Sequence, residues 1–220
     1  MLGPHESMGP RSLTPFILPA VVALISIAIA AMGDAATQVT QFDRSAIHSG
    51  EVWRLLSGHF AHLGTSHLLL NLAGLALISL LFAPVMPPLA WAGCFLVSAL
   101  FVSSGLYFFL PKLNWYVGLS GVLHGLFVTG AVASWRRGLR LEGLLLLALA
   151  VKLVWEQING PLPGSESAAG GPVVVDAHLY GAIGGLVFSL AEWAYKKKFD
   201  GGGSARNKPE AEDDSGGTSR

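Results

Sequence analysis

Charge is what this sequence lacks. Asp, Glu, Lys and Arg make up 13% of its 220 residues, against about 25% in an ordinary soluble domain. The shortfall is local. Residues 68–110 contain no acidic, basic or histidine side chain, and residues 16–32 form a second charge-free apolar run. Such runs exclude a soluble globule, because about 20 consecutive apolar residues already span the hydrocarbon core of a bilayer. Cysteine is almost absent too. Cys94 is alone, which excludes an intramolecular disulfide and a cysteine metal cluster. Lys plus Arg equals Asp plus Glu, 14 against 14, so no basic excess points to a nucleic-acid partner. No H-E-x-x-H run occurs. No internal repeat of the kind that builds transporters is seen either.

What is present reads as an all-α polytopic membrane protein with six transmembrane helices. Residues 1–14 are rich in Pro, Gly and Ser and are expected to be disordered. The first helix is expected over about 15–33 and is read as retained, since Arg11 alone makes a weak n-region for a signal peptide. A polar stretch of about 30 residues follows and is expected to hold short amphipathic pieces in the interface. Trp53 and Arg54 are residue types that sit at that level. The second helix runs from near Ser66 to before Pro84, where "PVMPP" removes helix donors. The others are expected over about 89–110, 119–135, 141–158 and 176–195. The segment 159–175, "NGPLPGSESAAGGPVVV", reads as a flexible loop and a natural gate together with the fifth helix. The membrane domain covers 15–198, and the Gly/Ser/charged tail 199–220 is expected to be disordered.

Orientation follows from the basic residues. Arg136, Arg137 and Arg140 lie between the fourth and fifth helices, and Lys196, Lys197 and Lys198 close the sixth. The positive-inside rule places both termini in the cytoplasm, as in a bacterial inner-membrane protein. Three helices then run inward from the outer surface carrying polar residues near their starts. Ser120 opens the fourth, His178 the sixth, and His67 and Asn71 the second. At about 1.5 Å rise per residue they share one shallow depth.

Those residue types suit acyl transfer. A serine hydroxyl needs a base within hydrogen-bond reach, and a neutral imidazole fits. The oxyanion formed needs fixed donors. His67 and Asn71, at i and i+4, share a helix face. The Ser120 backbone N–H, at a helix start, adds a third donor. Gly118 and Gly121 allow close approach to the nucleophile. Gly121 and Gly125 on one helix and Gly181 and Gly185 on another are spaced for close helix packing.

These motifs resemble those of the rhomboid intramembrane serine proteases. "GLSG" (118–121) resembles the family's G-x-S-G, "HLLLN" (67–71) its H-x-x-x-N, "AHLYG" (177–181) its A-H-x-x-G, and "EVWRLLSGHFAHL" its Trp-Arg first loop. The resemblance covers about residues 50–192. It implies a rhomboid-like fold and a Ser120–His178 dyad without a required acid, His67 and Asn71 at the oxyanion, and no cofactor or metal. The partners implied are the bilayer and a membrane-anchored protein substrate. The longer run "GLSGVLHG" is similar to the rhombosortase branch. There His124 stands where many rhomboids have an aromatic residue beside the histidine, and Tyr180 replaces a more usual glycine. That branch implies substrates with a C-terminal Gly-Gly, apolar helix and basic tail. With the orientation given above, the active site is expected to open to the outer, periplasmic side.

Other readings are weighed against this one. A catalytically inactive rhomboid-like protein that binds transmembrane clients would keep the fold, and loss of Ser or His would mark it. His59, His62 and His67 invite a metal, but are expected to be loop structure in the first two cases. Asp176 is two residues from His178 and is expected to cap its helix rather than complete a triad. Lys152 and Glu156 are spaced for an ion pair near the outer end; a Ser120–Lys152 dyad is the rival use of Lys152. Arg54 is expected to brace the first loop.

Overall fold

In the computed structural model, residues 13–139 and 141–200 are described, with Asp200 described in its backbone alone. Arg11, Arg140, most of the expected N-terminal segment and the tail beyond Asp200 lie outside them.

A 3-10 turn at Thr14–Phe16 leads into α1 (Ile17–Ala31). The first loop holds α2 (Asp34–Thr40), β1 (Phe42–Asp43), α3 (Arg44–His48) and α4 (Arg54–Ser57). The long helices α5 (Thr65–Phe82) and α6 (Pro88–Phe109) follow. Next come β2 (Trp115–Tyr116), α7 (Ser120–Trp135), α8 (Leu141–Asn159), α9 (Ser165–Ala169) and α10 (Val175–Asp200). The protein is thus all-α and built for a membrane, and the described residues hold six helices of 15 residues or more where the apolar runs placed them. By length and composition, three segments of the described residues suffice to cross a bilayer: Thr14–Ala31, Thr65–Phe82 and Pro88–Phe109. The shorter α7 and the charge-bearing α8 and α10 are the helices that build the site described below.

Packing explains which faces stay apolar. Helix α6 opens on Pro88, whose fixed φ suits a first helical position. It buries Trp91, Cys94, Ala99, Val102 and Leu106 and packs on α7. Leu119, Val122 and Leu126 of α7 and its approach fill the same core with Phe82 and Met86. Outward, Leu144, Leu147, Val151, Val154 and Ile158 of α8 are exposed at helical spacing. An apolar face of that size belongs against lipid.

Two segments depart from the expected loops. The first loop is tied to the approach to Ser120 by an antiparallel ribbon, Phe42 opposite Tyr116 and Asp43 opposite Trp115. Within 159–175 the chain forms α9, bracketed by Gly164 and Gly170, both left-handed at φ 82° and 75°. The last helix also continues to Asp200 rather than ending near residue 195. Contacts divide the chain inside this helix, after Ser189. In the part from Leu190, Lys196 pairs with Glu192 at 2.8 Å and Lys197 lies over the Trp193 ring.

The first loop is held by arginines. Arg54 is buried; its Nε donates to Glu51 at 2.6 Å and its Nη1 to the carbonyls of Gln38 and Gln41. This is the expected brace. Arg44 does more. It donates to Leu113 O at 2.8 Å and to Tyr107, Leu106 and Leu110 O, each at 2.7 Å. The last carbonyls of α6 have no partner within the helix, and a cation there also meets the negative end of its dipole. Arg44→Ala should therefore lower unfolding stability by about 3 kcal/mol, the upper end for a hydrogen bond to a charged group. Thermal unfolding in detergent checks this. Arg44→Lys should recover part of the loss only, since an ammonium cannot reproduce the fork.

Candidate active site

The nucleophile candidate is placed by a glycine turn. After β2, Gly118 takes φ +126°, a region that favours glycine. Its N–H donates to Gly58 O at 3.1 Å, and the Tyr116 hydroxyl donates to Gly118 O at 2.9 Å. A side chain at Gly118 would press on the His67 ring, 2.7 Å from Cε1. The chain then buries Leu119 and starts α7 at Ser120. The Ser120 backbone N–H, in the first turn, has no acceptor within its own helix.

Helices α7 and α10 meet glycine against backbone. A Cβ on Gly121 would sit 2.7 Å from Ala177 O, and one on Gly125 2.6 Å from Gly181 O. A Cβ on Gly181 or Gly185 would fall closer still to the carbonyls of Gly121 and Gly125. The four glycines thus do the packing that their spacing suggested. That seam brings Ser120 Oγ to 3.1 Å from His178 Nε2.

The histidine's other nitrogen has a partner that the sequence reading did not connect to it. His178 Nδ1 lies 3.0 Å from Glu156 Oε2, and Glu156 is 2% exposed. The expected Lys152–Glu156 ion pair is formed, 2.7 Å from Nζ to the same oxygen. Lys152 Nζ also lies 3.0 Å from His124 Nε2 and 3.5 Å from His178 Nδ1. His124 Nδ1 lies 2.7 Å from Ser120 O, and its ring stacks on His178 with centroids 4.2 Å apart and planes at 16°. His124 therefore takes the place beside His178 that the resemblance gives to an aromatic ring. The signal that could have found Glu156 was present: ionisable residues inside an apolar helix mark function by default. Its direction was not, because the rotation of α8 against α10 is a tertiary property.

His67 and Asn71 line the same cavity as Ser120 and His178, a space of about 590 Å³. The Leu63 N–H donates to His67 Nδ1 at 3.3 Å. That assigns the remaining ring proton to Nε2, on the side facing Gly118. Asn71 is buried and spends one amide hydrogen on His67 O at 3.1 Å, leaving the other as a donor. Leu63, Leu70 and Trp115 make much of the remaining wall, to which the 159–175 segment adds Leu162, Ala169 and Val173.

The other candidates separate from the site. Asp176 stands in the first turn of α10, and the carboxylate on His178 is that of Glu156 instead. His59 is fully buried, 3.1 Å from Ala99 O and 3.0 Å from Ser103 Oγ, a brace between the first loop and α6. Burial pulls its imidazole well below the ordinary range, to about 4. His62 is likewise pulled to about 4 by burial and bonds Phe60 O through Nδ1. Ligand atoms of His124, Glu156 and His178 lie within 4.8 Å of one another, a spacing that suits a metal. The Lys152 ammonium, within 3.5 Å of all three, already supplies the cation there.

Against known proteins, no curated sequence matches the chain. The Rhomboid domain matches residues 49–195, from the first loop into α10, a stretch that contains every residue of the site just described. With that match over most of its length, the chain belongs to the rhomboid family of intramembrane proteases.

Proposed function

We propose that this protein is an intramembrane serine endopeptidase in which Ser120 is the nucleophile and His178 its general base. The observation that carries the reading is the 3.1 Å approach of Ser120 Oγ to His178 Nε2 on the wall of an otherwise mainly apolar cavity. Family members act on membrane-embedded substrates, and such a substrate enters from the bilayer. Ser120 Oγ attacks a peptide carbonyl and its proton passes to His178 Nε2. The C–O bond forms, and the carbonyl oxygen takes the negative charge. The His67 Nε2–H, the free Asn71 amide hydrogen and the Ser120 backbone N–H stabilise it. As the C–N bond breaks, His178 gives the proton to the leaving amine. Water, or a competing amine, then attacks the acyl-enzyme, and His178 repeats the transfer in reverse.

The run "GLSGVLHG" and the stacking of His124 on His178 support the rhombosortase-like branch. The substrates would be exported proteins held by a C-terminal Gly-Gly, apolar helix and basic tail. The basic residues after α7 and within α10 support a bacterial inner-membrane setting with both termini cytoplasmic and the cavity opening outward.

The test is covalent labelling with a fluorophosphonate serine probe. Purified wild type should form an adduct that is absent in Ser120→Ala and lost in His178→Ala. An adduct that persists in Ser120→Ala, or none in folded wild type, overturns the assignment. Labelling kept in His178→Ala but lost in Lys152→Ala would replace the base by Lys152.

A further inference from the structure

Resting on that reading, we infer that the machinery is a triad: Glu156 is a positioning residue that acts through His178, and Lys152 and His124 hold it in place. The argument is one of proton placement. To accept the Ser120 proton, His178 Nε2 must be bare, so the ring hydrogen must sit on Nδ1. An imidazole has no intrinsic reason to choose that tautomer. A carboxylate only accepts, and Glu156 Oε2 faces Nδ1 at 3.0 Å. Glu156 therefore selects the productive tautomer and orients the ring toward Ser120. Once His178 has taken the proton, the same carboxylate lies against the imidazolium.

A buried carboxylate needs compensation of its own. Lys152 supplies it at 2.7 Å from the same oxygen. The ammonium also stands 3.5 Å from His178 Nδ1, a donor facing a donor, and the shorter 3.0 Å approach of Glu156 Oε2 takes the Nδ1 hydrogen. The His124 Nδ1–H donates to Ser120 O at 2.7 Å, which leaves Nε2 to accept from the Lys152 ammonium at 3.0 Å. The ammonium thereby joins α8 to α7, and the carboxylate joins α8 to α10. The stacked His124 ring closes the face of His178. Every side chain around the base is fixed by a neighbour from another helix, which is how a reacting group is preorganised. Asp176 stands two residues from His178 in sequence, yet Glu156, 22 residues away, provides the acid.

The experiment is Glu156→Gln in the full-length protein, read by cleavage of a membrane-anchored reporter with kcat and KM separated. The amide keeps the shape, removes the charge and can donate to Nδ1, which favours the wrong tautomer. Expected is a fall in kcat of about 10²- to 10⁴-fold with KM unchanged, the size seen when a triad carboxylate is made an amide. Glu156→Gln strands the Lys152 ammonium. If it fails to fold, Lys152→Met/Glu156→Gln removes both charges and keeps the volume, with the same kcat loss expected. A kcat within about threefold of wild type in the folded variant overturns the triad and leaves a dyad. A raised KM at unchanged kcat also overturns it, because Glu156 would then be binding substrate. If the wild type neither cleaves nor labels, the serine-protease reading itself falls, a result separate from either of these.

Discussion

The double variant Ser120→Ala/His178→Ala should cleave an anchored substrate no more slowly than either single variant. Each single change is expected to cost about 10⁶-fold in kcat, and residues that act as one unit do not add their losses. The reason is in the 3.1 Å approach of Oγ to Nε2. On the proposed mechanism one proton moves between these two atoms, so removing either end removes the whole transfer. What remains in all three variants is the cavity, with His67 and Asn71 in its wall as the proposed oxyanion donors. Reporter cleavage in reconstituted vesicles measures this. Losses that multiply in the double variant would mean that the two residues serve separate steps, and the shared proton transfer would be wrong.

The second large effect comes from the smallest change, Gly181→Ala. A single methyl at this position would drive into the Gly121 carbonyl, one residue from Ser120. The obstacle is backbone, which cannot rotate aside as a side chain does, so α7 and α10 must part. Overpacking of a tight core typically costs about 1–3 kcal/mol and sometimes more; this site belongs at the top of that range. The activity loss should be larger than stability accounts for, since a misplacement of about 1 Å in a reacting pair costs about 10²-fold. Gly143→Ala is the control. It sits in α8, where a Cβ meets Trp135 Nε1 at an ordinary 3.7 Å, so its unfolding temperature and cleavage rate should match or exceed wild type. A Gly181→Ala protein indistinguishable from wild type would show that the two helices are not in backbone contact there.

The fold was legible wherever a property repeats over many residues. Apolar runs and the prolines at 84, 87 and 88 placed α5 and α6 within a residue or two of their observed ends. The glycines at 121, 125, 181 and 185 announced the α7–α10 seam by their spacing. What could not be read was short or relational. The β1–β2 ribbon has two residues on each side, too few for an alternation to appear. The α9 turn is five residues inside a Gly/Pro-rich stretch. Arg44 is an ordinary loop arginine until the end of α6 is folded beneath it. Within the site, the approach of Ser120 to His178 was read from motifs and depth. The place of Glu156 was read only halfway: its i, i+4 partner Lys152 was visible, whereas its third partner lies on a helix whose rotation no local spacing encodes.

The arginines of the first loop bear on how a substrate reaches the serine. Arg44 and Arg54 have committed their donors to carbonyls and to Glu51. They knit the loop, α6 and the ribbon beside Ser120 into one wall, and these cations face protein rather than lipid phosphate. Parting that wall would break several charge-assisted bonds at once. The 159–175 segment lines the cavity with Leu162, Ala169 and Val173, apolar contacts that a transmembrane substrate could replace with its own side chains. On the proposed function the cost of opening is therefore lopsided, and a helix arriving through the bilayer is expected to meet least resistance at the 159–175 segment.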